Sequence, residues 1–235
     1  DALVMTADGM DDCQGGICGT QHGIQFVLQK RRSGFSGQTE GDVQSPDRIA
    51  QHSCQARIRP DVLFDAWYVE GPGKVGYWPA GLCLCFPKAN TTNGTVVMDT
   101  GDVNLTFKRY LESPITLTFK NDFVVDIGGD SLDADLMREY YSAFDKNAYA
   151  ISHVGWGMNP AARWDSLIMF DKEQINGTEL RALAGSFLLS TGANEFANRF
   201  TRGHFDLPMR NCNIWLDNVQ IVEEGRLLPP LAYNH

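Results

Sequence analysis

The chain has 235 residues, of which 43% are hydrophobic and 21% charged, as is usual for a globular protein with one sizeable core. Its net charge of −9 argues against a nucleic-acid partner, because binding phosphates requires clustered lysine and arginine. No apolar run reaches the roughly 18 residues of a transmembrane helix, and no signal-peptide pattern is present, so we expect no membrane partner.

Residues 1–55 are the least patterned part of the chain. Glycines interrupt them repeatedly, and only Ile24 to Leu28 is apolar enough to predict a buried segment. The basic cluster Lys30-Arg31-Arg32 is interpreted as a solvated loop. Apolar patterning becomes regular from Ile58 onward. The sequence therefore predicts two parts, a poorly patterned segment at 1–55, interpreted as a remnant of an upstream domain, and a folded domain at 56–235.

Several short segments of the second part have the pattern of β-strands. Leu82 to Phe86 is predicted as one strand, and Val103 to Phe107 as another. From Ile115 to Phe119 apolar residues alternate with polar ones, which is typical of a half-buried strand. Asn121-Asp122 then predicts a turn into a strand at Phe123–Ile127. These segments together predict an antiparallel meander.

The clearest helical pattern runs from Ser131 to Phe144, with Ser131 as its N-cap. Four residues recur at four-residue spacing and predict one apolar face, namely Leu132, Leu136, Tyr140 and Phe144. A shorter helix is predicted at Thr178–Leu183. The predicted fold class is α+β, rich in antiparallel strands and with few helices.

The cysteines indicate a reducing environment. Cys83 and Cys85 alternate with leucines in a predicted strand, which favours buried small hydrophobic side chains over metal ligands or a disulfide. We therefore expect a cytoplasmic protein.

Three residues are the best candidates for a metal site. His204 and Asp206 are two residues apart, and Pro208 favours extended backbone before it, so the two side chains are expected on one face of a strand. His153 ends an apolar segment and is a third candidate. Two histidines and one carboxylate form the triad of many mononuclear iron sites. A hydrogen-bonded surface pair remains the alternative. The nearby Ser190-Thr191-Gly192 is interpreted as a turn, or as a source of hydroxyl donors.

Longer motifs around these residues resemble a known family. They are His153 to Trp164 (HVGWGMNPAARW), Gly203 to Cys212 (GHFDLPMRNC), Trp78-Pro79-Ala80-Gly81 and Asn93-Gly94-Thr95. Together they resemble the 2,5-dihydroxypyridine 5,6-dioxygenases of nicotinate breakdown. The resemblance extends from about Ile58 to Leu228. It implies the fold shared by those enzymes and the thermophilic leucine-type metallo-aminopeptidases.

The resemblance also implies a function for the domain at 56–235. His153, His204 and Asp206 would bind Fe(II), and the substrates would be a small aromatic N-heterocycle and O₂. The ring of 2,5-dihydroxypyridine would open between C5 and C6 to give N-formylmaleamate. Tyr77 stands where the family tends to place a histidine, and Asp65 stands at a family glutamate position. Both are candidate catalytic residues near the substrate. Relatives form oligomers, so we expect a homo-oligomer.

Two alternatives to a working dioxygenase follow from the same resemblance. A metallo-aminopeptidase of this fold would use two metal ions, but peptidases place a metal-binding glutamate after the Pro-Ala-Gly-type turn, where this chain has Leu82. A truncated, non-catalytic homologue is the other alternative. Relatives carry an N-terminal domain that contributes a basic histidine, and residues 1–55 do not match it.

Overall fold

The computed structural model describes residues 24–30, 53–64, 71–72, 76 and 78–232. The strands in these residues are β1 (Ile24–Lys30), β2 (Ser53–Phe64), β3 (Leu82–Pro87), β4 (Asn93–Met98), β5 (Val103–Asn104), β6 (Arg109–Tyr110), β7 (Ile115–Lys120), β8 (Phe123–Gly128), β9 (Ile151–Gly157), β10 (Phe187–Asn194), β11 (Arg199–Met209), β12 (Cys212–Leu216), β13 (Val219–Glu223) and β14 (Arg226–Leu227). The helices are α1 (Leu132–Ser142), α2 (Ser166–Met169) and α3 (Thr178–Ala182). The predicted α+β class, rich in antiparallel strands, is confirmed.

Twelve of the described strands form one sheet, and neighbouring strands in it pair antiparallel. The strand order is β11-β10-β9-β3-β2-β1-β12-β13-β14, with a branch in which β4 pairs with β2 and β7, and β7 pairs with β8. β1 falls within residues 1–55 and pairs with β2 and β12. The boundary between residues 55 and 56 stays a prediction.

The main core lies where strands of the branch, α1 and the strands β9 to β12 contribute apolar side chains to one cluster. The predicted hairpin supplies part of it. Ile115 and Leu117 of β7 are fully buried, as period-two alternation requires. Asn121 and Asp122 form the turn with positive φ angles of 47° and 77°, so the predicted turn is confirmed.

The predicted strand at Val103–Phe107 is wrong beyond its second residue. Only Val103 and Asn104 are extended, because the Asn104 side-chain oxygen accepts hydrogen bonds from the amides of Thr106 and Phe107, at 3.0 and 3.3 Å. Such a side chain folds the backbone into a local turn and competes with strand pairing. The chain therefore reverses into β6.

The predicted helix is confirmed as α1, with Ser131 as its N-cap, but the predicted apolar face is correct only in part, at Phe144, which packs against the core. Leu132 is 63% exposed, whereas Ala134, Met137 and Tyr141 face the core. In the part of the chain that the structure describes, no helix is long and apolar enough to cross a membrane.

A buried acidic group explains the orientation of α1. Asp133 pairs with Arg109 at 3.0 Å and accepts a hydrogen bond from the amide of Glu112 at 2.8 Å. A buried carboxylate requires such partners, so Asp133 points inward and its neighbour Leu132 is turned toward solvent.

The four cysteines of the described residues are free thiols, and Cys54, Cys85 and Cys212 are buried. Cys83 is partly buried and packs against the core, so the prediction that Cys83 and Cys85 are small hydrophobic side chains rather than a disulfide is confirmed. Burial raises the pKa of the Cys54 thiol to about 12, which keeps it protonated and unreactive.

One buried ion pair connects the hairpin turn to the strand that later carries the candidate site. The carboxylate of Asp122 accepts hydrogen bonds from the three backbone amides of residues 90–92 and from Arg199 at the start of β11. Arg199 also donates to the carbonyl of Ile151 in β9, at 3.2 Å. Asp122 therefore ties together β9, β11 and two loops.

We predict that Asp122→Ala lowers the free energy of unfolding by about 3–5 kcal/mol, because it leaves the Arg199 charge buried without its partner. Equilibrium urea unfolding measures this. Glu223→Ala is the control, because Glu223 and its partner Arg226 are largely exposed and 3.8 Å apart. That control should change stability by less than about 1 kcal/mol. Equal effects of the two substitutions would refute the anchoring role of Asp122.

Candidate metal centre

Strand β11 carries two candidate ligands, and the residue between them is buried in the core. His204 and Asp206 are two residues apart on this strand, so their side chains leave the same face of the sheet. Phe205 lies between them and points to the other face, where it is buried. Its ring stacks on Tyr141 of α1, with ring centroids 3.9 Å apart and an angle of 18° between the planes. Packing of Phe205 therefore fixes the direction of both ligands.

His153 comes from β9, which is separated from β11 by β10. Neighbouring strands lie about 4.8 Å apart, so the ligands must reach across a middle strand. β10 places Gly192 opposite His204 and Ser190 opposite Asp206. Gly192 has a φ of 118°, and a Cβ there would lie 2.1 Å from the carbonyl oxygen of Gly203. Gly192 therefore lets β10 lie close against the backbone of β11 just before His204, and Ser190 stands opposite Asp206.

The three side chains converge on one point. Nε2 of His153 lies 3.6 Å from Oδ1 of Asp206, and Nε2 of His204 lies 3.3 Å from the same oxygen. The three ligand atoms lie within 4.8 Å of one another. Adjacent donors bound at about 2.1 Å to one ion stand roughly 3.0–3.5 Å apart. The donor set therefore fits a single divalent cation.

The site is buried around His153 and Asp206 and open to solvent at His204. The side chains of His153 and Asp206 are 12% and 13% exposed, whereas that of His204 is 46% exposed. Two histidines and one carboxylate leave coordination positions of an ion unfilled. Small molecules can therefore approach past His204.

Both oxygens of the Asp206 carboxylate are held by hydrogen bonds. Ser190 of β10 donates its hydroxyl proton to Oδ1, and Arg181 of α3 donates to Oδ2 at 3.1 Å. The backbone is held as well, because the amide of Leu105 donates to the Asp206 carbonyl at 3.1 Å. Hydrogen bonds of this kind orient a ligand before the metal binds.

The tautomer of His153 is set by Ser152. The Ser152 hydroxyl donates its single proton to the carbonyl of Ala193, and its oxygen lies 3.1 Å from Nδ1 of His153. This oxygen must therefore accept a hydrogen bond from Nδ1–H. The Nε2 lone pair of His153 is left free, on the side of Asp206.

Electrostatics favour the metal-binding protonation states. Burial lowers the pKa of His153 to about 4, although the Asp206 carboxylate opposes this shift. Burial alone raises the pKa of Asp206, but its close contact with His204 and the charge of Arg181 hold it well below its usual range. At neutral pH His153 is neutral and Asp206 is ionised, which are the forms that bind a cation.

The structure thus brings together the three residues that the sequence predicted as ligands, while their binding of a metal stays a prediction. In the described part of the chain they are the one group of three potential ligands so placed. Asp65 and Tyr77 lie outside the described residues, so their place near a substrate also stays a prediction.

The sequence did not predict the supporting roles of Ser152 and Arg181, and the first interpretation of residues 190–192 as a turn was wrong. Residues 190–192 belong to β10 rather than to a turn, and Ser190 supplies the hydroxyl donor that was the second interpretation. Ser152 was missed, although it adjoins a predicted ligand. Arg181 lies in a helix that the sequence predicted, but nothing in the sequence pairs it with Asp206.

Comparisons with known proteins agree on one family. Residues 56–229 match the family model of NicX, 2,5-dihydroxypyridine 5,6-dioxygenase. The 2,5-dihydroxypyridine 5,6-dioxygenase of Pseudomonas putida is 37% identical over 166 residues, which are 69% of this chain and 47% of that protein. The chain therefore spans about half the length of this curated relative.

Solved structures show the same relationship. The 2,5-dihydroxypyridine dioxygenase of Pseudomonas putida KT2440 superposes with a TM-score of 0.73 at 30% identity, covering 88% of this chain and 55% of that one. AmpT from Thermus thermophilus superposes with a TM-score of 0.55 at 10% identity, covering 88% and 50%. At that identity the second similarity shows the fold alone, and it agrees with the predicted fold relationship.

We predict that Gly192→Ala destabilises the protein by at least about 2 kcal/mol and impairs metal binding, because the new Cβ strains the left-handed backbone and pushes against β11. Thermal unfolding and Co²⁺ titration measure the two effects. Gly128→Ala in β8 is the control, since its Cβ would meet no atom closer than 3.4 Å and its φ is not positive. The role given to Gly192 is wrong if both variants retain wild-type metal affinity.

We also predict that Ser152→Ala lowers metal affinity roughly tenfold to a hundredfold, because His153 loses the group that sets its tautomer. Competition with a chelator measures the affinity. Ser142→Ala is a matched control, because the Ser142 hydroxyl also donates to a carbonyl, that of Glu139, but on the exposed side of α1. Equal metal affinity in the two variants would count against the assigned role of Ser152.

Proposed function

We propose, since this chain belongs to the 2,5-dihydroxypyridine 5,6-dioxygenase family, that it is the metal-binding part of a ring-cleaving dioxygenase. The proposed substrates are 2,5-dihydroxypyridine, a small aromatic N-heterocycle, and O₂, and the proposed product is N-formylmaleamate. The chain spans about half the length of its relatives. The proposal therefore concerns the chemistry that its candidate metal centre supports.

The convergence of His153, His204 and Asp206 is the observation that carries this proposal. Imidazole nitrogens together with one carboxylate oxygen suit ferrous iron, and three protein ligands leave room for a substrate and O₂. Fe(II), when bound, supplies a path for electrons from an electron-rich ring to O₂. The exposed side of His204 is the proposed entrance for both substrates.

The supporting residues would keep the donor set in one arrangement during turnover. Ser190 and Arg181 restrain rotation of the Asp206 carboxylate. Asp65 and Tyr77 are proposed to hydrogen-bond the hydroxypyridine, which is supported by their sequence positions alone. The Asp65 carboxylate would accept a hydrogen bond from a ring hydroxyl, and the Tyr77 phenol would donate or accept one.

Two features of the site disfavour a two-metal peptidase. Leu82, at the position where peptidases place a ligand, is a buried apolar residue at the start of β3. Within the described residues, a single group of three potential ligands is present. Among the described residues, no second group of carboxylates is placed to bind another ion.

A reducing, cytoplasmic setting belongs to the proposal and is supported by the free thiols of Cys54, Cys83, Cys85 and Cys212. A homo-oligomer is also proposed, on the resemblance to the family alone.

Anaerobic loading with Fe(II), followed by O₂ uptake in the presence of 2,5-dihydroxypyridine, tests the proposed function. We expect one iron per chain and O₂ uptake that depends on the substrate. His204→Ala should lower iron affinity by at least about a hundredfold, because it removes one of three ligands. His22→Ala is the control, since the sequence gives that histidine no metal role.

The outcomes separate the alternatives. Iron binding without substrate-dependent O₂ uptake would favour a non-catalytic homologue. Peptide hydrolysis activated by Zn²⁺ or Co²⁺ would favour the peptidase. Unchanged iron affinity in His204→Ala would overturn the ligand assignment itself.

A further inference from the structure

An aromatic residue borders the candidate metal centre on the side of His153. Phe86 of β3 follows Cys85, which pairs with Val154 of β9, so Phe86 is placed beside His153. The ring centroids of Phe86 and His153 are 5.8 Å apart, with 63° between their planes. This edge-to-face contact is a favourable arrangement of two aromatic rings.

A second aromatic residue reaches over from the far side of β9. Phe196 lies in the 3₁₀ turn Glu195–Ala197, between β10 and β11, and its ring centroid is 4.6 Å from that of Phe86. In the sheet, β9 lies between β3 and β10. The contact between Phe86 and Phe196 therefore spans the strand that carries His153.

The turn that carries Phe196 is fixed to this strand. Asn194 is buried, donates from Nδ2 to the carbonyl of Ser152 at 2.9 Å, and accepts a hydrogen bond from the amide of Ala197 at 3.2 Å. Ser152 directly precedes His153. Phe196 is thus held by the same segment that positions a candidate ligand.

Phe196 keeps a large apolar surface open to solvent next to a polar site. Its side chain is 43% exposed, although its ring packs against Phe86. At the other ligand, Asp206, the contacting group is the charged guanidinium of Arg181. The centre is thus bordered by charge at one ligand and by aromatic rings at another. Pockets for small ligands combine apolar walls with a few placed polar groups in this way.

We infer that Phe86 and Phe196 form an aromatic wall against which the ring of the substrate packs, and that Phe196 is a specificity-determining residue. The inference rests on the proposed function and names what selects its substrate. Ring-to-ring contact favours a flat aromatic ligand over a non-aromatic ligand that offers the same chelating oxygens. The metal ligands alone do not make that distinction.

Anaerobic calorimetric titration of the Fe(II)-loaded protein tests the wall, using 2,5-dihydroxypyridine and oxalate, which offers chelating oxygens without a ring. Phe196→Ala should weaken 2,5-dihydroxypyridine binding roughly tenfold to a hundredfold, the loss expected for one aromatic packing surface. Oxalate binding and iron affinity should not change. Phe196→Leu, which keeps apolar area without a ring, should be intermediate. Phe170→Ala, at a side chain of similar exposure beyond α2, is the matched control and should have no effect.

Loss of oxalate binding or of iron affinity in Phe196→Ala would overturn the inference, because it would show a structural role for the turn. Unchanged 2,5-dihydroxypyridine binding would overturn it as well, while substrate-dependent O₂ uptake by the unaltered protein would still support the proposed function. If the unaltered protein fails to bind 2,5-dihydroxypyridine, the proposed function fails. A catechol titration of the same variants then tests the aromatic wall separately. Selective loss of catechol binding in Phe196→Ala would support the wall, and unchanged catechol binding would overturn it.

Discussion

The alternation of side chains along β11 is the constraint on which the rest of the site depends. His204 and Asp206 can face outward together only because Phe205 occupies the inward position between them. A shift of register by one residue would bury the two polar groups and expose the aromatic ring. The stacking of Phe205 on Tyr141 makes that shift costly. The packing of the core and the geometry of the metal centre therefore depend on the same strand register.

Tyr141 extends this coupling to the middle strand. Its hydroxyl hydrogen-bonds that of Thr191 at 2.7 Å, in the fully buried interior. Thr191 lies between Ser190 and Gly192, which stand opposite Asp206 and His204. One helix residue therefore positions two neighbouring strands of the site, and α1 supports the centre without supplying a ligand.

Local patterns in the sequence predicted what depends on neighbours along the chain. The pairing of His204 with Asp206 and the hairpin turn at Asn121-Asp122 follow from period-two alternation and turn chemistry. The buried face of α1 did not follow, because it is set by Asp133 and its distant partner Arg109. The contact between Arg181 and Asp206 likewise depends on how α3 packs across the sheet, and no spacing rule encodes that.

The loop after β5 contacts the site without providing a ligand. Leu105 donates its amide to the Asp206 carbonyl, and a Cβ on Gly177, just before the helix that carries Arg181, would lie 2.5 Å from the Leu105 side chain. Changes in this loop would therefore displace the carboxylate and its guanidinium partner together. Such a loop gives evolution, or a protein engineer, a remote means of tuning how strongly the centre holds its ion, with all three ligands left in place.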